Sequence, residues 1–262
     1  MARRFIDLSV PLENDLPADP PGYELSIDYK SHQDTLPMLL NRYKGLTASQ
    51  LPNSEAFANE HIKLSTHNGT HVDAPWHYSS TMEDGTKSAT IDEMPLDWFF
   101  RPGVKLDFRH FADGYVVQPE DIEAELERIG YELKPCDIVV INTSAGKKFG
   151  QPGYHKHGCG IGRDATLYLT SRGVRVAGID SWSWDASYEH MAKAYEATGD
   201  AGLIWEGHRA GRRTAYCHIE KLHNLESLPA FGFDVICFPV KITGGSAGWT
   251  RAVAIIDDNS KD

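Results

Sequence analysis

No apolar run in this chain approaches the roughly 18 residues that a membrane-spanning helix needs, and the opening Met-Ala-Arg-Arg-Phe-Ile-Asp has no apolar stretch behind its arginines. Neither membrane spanning nor secretion is expected, and the chain reads as cytoplasmic. Cysteine is scarce: Cys136, Cys159, Cys217 and Cys237 contain no C-x2-C pair, which suits buried or free thiols better than a disulfide frame. Positive charge is also short, with 26 Lys and Arg against 37 Asp and Glu and a net charge of −11. That balance argues against nucleic acid or an anionic membrane surface as a partner. G-x-S-x-G is missing, which argues against a serine hydrolase of the α/β-hydrolase type. No G-x-G-x-x-G lies between a strand and a helix, and Gly158-Cys-Gly-Ile-Gly162 has the wrong spacing for a dinucleotide loop.

What the chain does have is histidine, 12 in all, concentrated in His67-Asn-Gly-Thr-His71-Val-Asp73-Ala-Pro75-Trp-His77. Imidazole nitrogens and a carboxylate are the donors that Zn²⁺ or Mn²⁺ accepts in a catalytic site. His67 and His71 have helical spacing, yet Asn68, Gly69, Thr70 and Pro75 favour a turn. His61-Ile-Lys-Leu-Ser-Thr66 alternates as a half-buried strand does, so a strand is expected to deliver His67 and a turn to fold His71, Asp73 and His77 beside it. The competing reading is a histidine-rich surface loop, which would give this array around Gly and Pro no stabilising purpose. His155-Lys-His157-Gly-Cys159 raises a second, structural zinc possibility inside a glycine-rich loop.

Length and a 41% hydrophobic content allow one large core, so residues 1–262 are expected to form a single α/β domain. Strands are expected over 4–11, 104–108, 137–142, 174–180, 233–238 and 251–256. Helices are expected over 119–129, closed by Gly130, over 163–172, closed by Gly173, and over 192–197. The expected architecture is a mixed sheet, partly barrel-like, with helices outside. Residues 12–59 carry little periodicity and read as a lid or subunit contact outside the main sheet.

In the C-terminal half, His208 and Glu220 are candidates to complete the site, but by themselves they do not stand out from Glu206, His218 and His223. Here the residues resemble a known family. His67-x-Gly69-Thr70-His71-x-Asp73-x-Pro75-x-His77 is similar to the signature of the metal-dependent cyclases, which include bacterial kynurenine formamidases and isatin hydrolases. The spacing of His208 and Glu220, the run Glu220-Lys-Leu222-His-Asn224-Leu225-Glu-Ser-Leu228-Pro229 and the segment Gly178-Ile-Asp180-Ser-Trp-Ser183-Trp-Asp185 extend the resemblance over most of the chain.

The resemblance implies a cyclase-like swivelling β/β/α fold. It implies that His67, His71 and Asp73 bind one divalent ion, with Asp73 and Glu220 bridging to a second held also by His208. One or two ions of Zn or Mn per chain are thus expected; in length the chain sits nearer isatin hydrolase, where one Mn²⁺ suffices. His77 corresponds to the proton donor and acceptor. Trp76, Trp182 and Trp184 are expected to hold a small aromatic substrate, and a homodimer or homotetramer is expected. The implied activity is hydrolysis of the C–N bond of an aryl formamide or cyclic amide by metal-activated water. A lactone hydrolase or polyketide-type cyclase is the alternative, and a non-enzymatic metal-binding module a more distant one.

Overall fold

Ile138–Asn142 is a strand of four apolar residues closed by Asn142, and all five are buried. Alternation divides them: Ile138 and Val140 enter one core, Val139 and Ile141 the other. A strand covered on both faces belongs at the centre of a sheet. The computed structural model places it there and describes residues 2–258; residue 1 and residues 259–262, the ends of the expected domain, lie outside the described residues.

The sheet has nine strands: β1 (Ala2–Asp7), β2 (His71–Asp73), β3 (Phe100–Asp107), β4 (Ile138–Asn142), β5 (Val176–Ile179), β6 (Cys217–Glu220), β7 (Phe231–Ile236), β8 (Ala247–Trp249) and β9 (Val253–Asp258). Their spatial order is β1-β9-β7-β3-β4-β5-β6-β2-β8, a curled half-barrel. Strands β3 to β6 run parallel, and the strands on either side of them pair antiparallel. The mixed α/β architecture is therefore as the sequence implies.

One face of the sheet packs Leu8, Val72, Phe99, Val176, Ile219 and Val235. The other is covered by α1 (Pro119–Ile129) and α2 (Arg163–Ser171), through Ile122, Leu126, Ala165 and Leu169. Helix α1 begins as its sequence dictates, with Pro119 in the first turn and a capping box between Gln118 and Asp121; it ends at Gly130 in the left-handed conformation. The remaining long helix spans Tyr188–Thr198, beginning four residues before the expected 192 because only Met191 of its residues is buried and its apolar periodicity is faint.

The expected strand over residues 61–66 needs correction. Asn59–Lys63 pairs with Ser26–Lys30 in a separate two-stranded ribbon, exposed at every one of its own positions. Its alternation is real, but no core lies beneath it. The strand at 4–11 is observed at 2–7, and 233–238 at 231–236, because the chain leaves the ladder on the approaches to Pro11 and Pro239.

A second small ladder, Val116–Val117 with Gly160–Ile161, closes against the segment that follows β5. A Cβ on Gly160 would lie 1.9 Å from the Ala186 nitrogen, which is backbone and has nowhere to retreat. Gly160→Ala should therefore lower stability by about 1–3 kcal/mol or more, measured as a shift of the denaturant midpoint; an unchanged midpoint would show that the backbone there yields.

Candidate metal centre

Four donors come from two neighbouring strands. β2 and β6 are antiparallel, with His71 opposite Glu220 and Asp73 opposite His218. Strand alternation turns Val72 and Ile219 into the core on one face, so the four polar side chains share the other. The route into β2 differs from the expected one. The surface ribbon ends at Lys63, a turn follows with Asn68 Oδ1 accepting from the Ser65 N–H at 2.6 Å, and Gly69 supplies φ +62°. The next strand, and not a turn, carries His71 and Asp73. His77 then lies on a single helical turn, Pro75–Tyr78, and His208 on the short helix Glu206–Ala210.

These elements bring together all five side chains implied as ligands, as well as His77. His67 Nδ1 lies 3.0 Å from Asp73 Oδ1. His71 Nε2 lies 3.4 Å from the same oxygen and 3.5 Å from Glu220 Oε2. His208 Nε2 is 3.5 Å from Glu220 Oε1, and His77 Nε2 is 3.7 Å from Asp73 Oδ2. One further imidazole joins them: His218 Nε2 is 3.2 Å from Asp73 Oδ2 and 3.5 Å from Glu220 Oε1. Nothing in the local sequence separates His218 from Glu206 and His223, although its i, i+2 relation to Glu220 on a strand places both on one face.

Outer contacts fix the rings. His71 Nδ1 is 2.9 Å from the Gly69 carbonyl, and His208 Nδ1 is 2.5 Å from Asp185 Oδ2, so each presents Nε2 inward. Asp185 also accepts from the Gly207 and His208 backbone N–H groups. Glu220 Oε1 accepts from the Trp184 N–H at 2.9 Å. The orienting carboxylate carries a prediction: Asp185→Asn should weaken divalent-ion affinity about 10–100-fold, measured by competition with a chromophoric chelator. Wild-type affinity in this variant would mean that His208 is oriented by other contacts.

The donor set suits a divalent cation. His71 Nε2, both Asp73 carboxylate oxygens and both His218 ring nitrogens are buried without a hydrogen-bond partner among the described residues. Each such orphan costs about 1–3 kcal/mol, and a cation between them would satisfy several at once. Two donor groups share Asp73: Asp73 with His208, His218 and Glu220, and Asp73 with His67 and His77. Burial alone would raise the Asp73 carboxyl, but His77, His71 and His67 hold it well below the usual range. Burial likewise opposes ionisation of Glu220, and the His218, His71 and His208 imidazoles outweigh it. Burial pushes His77 down to about 4, with His67 and His208 adding to the effect against the pull of Asp73.

The expected aromatic residues separate. Trp184 is fully buried; its indole donates to Thr166 Oγ1 at 3.0 Å and stacks on His218 at 5.7 Å. Its enclosed ring leaves no face for a substrate, which corrects the expectation for that residue. Trp182 is half-buried, donates to Asp19 Oδ1 at 2.8 Å and meets Tyr188 edge-on at 5.5 Å. The Trp76 ring is also half-buried and lies under Lys87 Nζ at 5.5 Å from its centroid. Trp205, which the sequence did not single out, stacks on His208 at 4.8 Å and lies 5.3 Å from His77. It adopts φ +56°, a strained value for a bulky residue that no sequence pattern announces. In the glycine-rich loop, His157 Nδ1 pairs with Asp113 at 2.6 Å, and His155, His157 and Cys159 do not form a metal-capable group among the described residues.

Residues 12–59 stay outside the main sheet but reach the site. Lys221, fully buried next to Glu220, pairs with Asp19 and donates to the His67 carbonyl at 2.9 Å. Asp19 also accepts from Asn68 Nδ2 at 2.9 Å, so one carboxylate ties the N-terminal segment to both halves of the centre.

Residues 6–186 match the Cyclase family. The kynurenine formamidase of Salinibacter ruber (strain DSM 13855 / M31) is 30% identical over 192 residues, covering 73% of this chain and 77% of that one. The crystal structure of an isatin hydrolase bound to the product analogue thioisatinate superposes with a TM-score of 0.75 at 22% identity, covering 98% and 93% of the two chains. Isatin hydrolase A from Ralstonia solanacearum gives a TM-score of 0.76 at 21% identity, covering 97% and 92%. With a family match over most of its length and the same fold in these structures, the chain belongs to the cyclase family.

Proposed function

We propose that the protein is a metal-dependent hydrolase that cleaves the C–N bond of an aryl formamide or cyclic amide, with N-formylkynurenine- and isatin-type compounds as the substrate class. The observation that carries this reading is the buried carboxylate and imidazole cluster centred on Asp73, with His77 at its more open side. The names of the related kynurenine formamidase and of the isatin hydrolases of like fold support the substrate class. A divalent cation in such a cluster lowers the pKa of water from about 15.7 towards 7 and polarises a carbonyl.

The chain's own groups supply the rest. His67, His71, Asp73, His208 and Glu220 would hold the cation, and the carbonyl of Gly69 and carboxylate of Asp185 keep two of the imidazoles aimed. His77, its side chain 19% exposed and its imidazole pushed down to about 4 by burial, presents Nε2 as a proton acceptor. It takes the proton of the attacking water and returns it to the leaving nitrogen. The half-buried faces of Trp205 and Trp182, with exposed Tyr188, offer a flat aryl group an apolar wall. Assay of metal-reconstituted protein against aryl formamides, isatins and lactones tests the reading. Chelator-reversible hydrolysis confined to the first two classes is expected; turnover of lactones alone would overturn it.

A further inference from the structure

We propose that His218 closes one half of the cluster into a complete four-donor cation site. This half holds its ion as structure, and the half around His67 and His77 is the one that meets substrate. The inference rests on the reading of the cluster as a divalent-cation centre and adds a division of labour to it.

His218 has an unusual setting. Its imidazole is fully buried, with Trp184 stacked on it at 5.7 Å and 21° and Tyr78 at 6.3 Å and 17°. Among the described residues neither ring nitrogen has a hydrogen-bond partner, although Nε2 comes within 3.2 Å of Asp73 and 3.5 Å of Glu220. A buried imidazole confined by aromatic rings and directed at two carboxylates without bonding either is placed for a ligand between them.

Distances among the donors agree. A tetrahedral ion with bonds of 2.0–2.1 Å has donor-to-donor edges of about 3.3 Å. Four of the six edges among Asp73 Oδ2, His208 Nε2, His218 Nε2 and Glu220 Oε1 measure 3.2, 3.5, 3.5 and 4.0 Å, and the ligand atoms of the four residues all lie within 4.8 Å of one another. All four side chains are buried, and two carboxylate oxygens with two imidazoles fill every position of a four-coordinate ion. A closed set of protein donors is the mark of a structural site, whereas a catalytic one keeps a position open. On the other side of Asp73, His67 and His71 are the further donors and His77 stands ready for proton transfer; the His67 and His77 side chains are 24% and 19% exposed, so solvent and substrate arrive on that side.

The test uses full-length protein stripped by chelator and reloaded with Co²⁺, whose visible bands are intense when the ion is four-coordinate and weak at higher coordination. In the wild type the tighter-binding Co²⁺ should show the intense bands. His218→Ala should lose them, and its affinity for that ion should fall by more than the roughly 100-fold that loss of an outer orienting partner costs. His67→Ala should retain both the intense bands and the tight affinity, because it alters the other half. Retention of bands and affinity in His218→Ala would overturn the proposal, since His218 would then merely neighbour Asp73. Crystals of zinc-loaded wild type decide the matter even if the variant does not fold: His218 Nε2 at about 2.0–2.1 Å from zinc supports the assignment, and an ion bound without His218 overturns it. No Co²⁺ uptake by the wild type would overturn the cation reading itself, an outcome distinct from loss of the His218 contribution alone.

Discussion

Asp73→Asn should leave purified protein with less than about a tenth of an equivalent of bound cation and slow hydrolysis by roughly 10³-fold or more, equivalent to about 4 kcal/mol of barrier. Asp73 is the one residue common to both donor groups, and neither of its oxygens has a hydrogen-bond partner among the described residues. Its carboxylate also balances five imidazoles at distances of 3.0 to 4.0 Å. Asparagine keeps the shape and removes the charge, so a loss is attributable to electrostatics and coordination, not packing. Elemental analysis and turnover on the same preparations check it; a variant that kept a full complement of ion would show that the imidazoles and Glu220 suffice.

Replacing His77 should separate ligand from catalyst. If His77 moves protons while the other donors hold the cation, His77→Asn keeps most of the metal and loses turnover by roughly 10²–10⁴-fold, the usual contribution of general acid–base catalysis. His71→Asn should lose metal and turnover together, because His71 is fully buried between Asp73 and Glu220. The comparison has force because His77 Nε2 lies as near to Asp73 as a ligand would, at 3.7 Å. Release of metal from His77→Asn as readily as from His71→Asn would make His77 a ligand and move the proton transfer to another group.

Local chemistry made part of this architecture legible in the sequence. The apolar run of Ile138–Asn142 announced a strand buried on two faces, and Pro119 and Gly130 marked the ends of a helix. Half of the centre was legible for the same reason, since His67, His71, Asp73 and His77 occupy eleven residues. The other half depends on the pairing of β2 with β6, which no local pattern encodes. Resemblance to a family selected His208 and Glu220, but His218 has no local signal apart from its strand register with Glu220. The alternation around Ile62 misled because period two reports a strand and not the presence of a core beneath it; Ile62 is 50% exposed. Trp182 and Trp184 are alike in sequence, and their separation into a half-buried and an enclosed ring follows from tertiary contacts: Trp184 packs on His218 and donates to Thr166, whereas Trp182 turns to Asp19 and Tyr188.

The pairing of β2 with β6 also sets a timetable for the molecule. His71 and Asp73 leave the ribosome well before their strand partners Glu220 and His218, and Ser246, whose hydroxyl lies 3.1 Å from His67 Nε2, comes later still. During synthesis the early histidines therefore exist without the carboxylate and imidazoles that complete their cage, and β2 has neither of its neighbours, β6 and β8, to pair with. Contacts so distant in sequence form slowly because the intervening chain must first be ordered. The nascent N-terminal part can engage a cation only loosely, through His67, His71, Asp73 and His77. A cation would thus be held securely only once β6 and β8 have been made and have paired with β2.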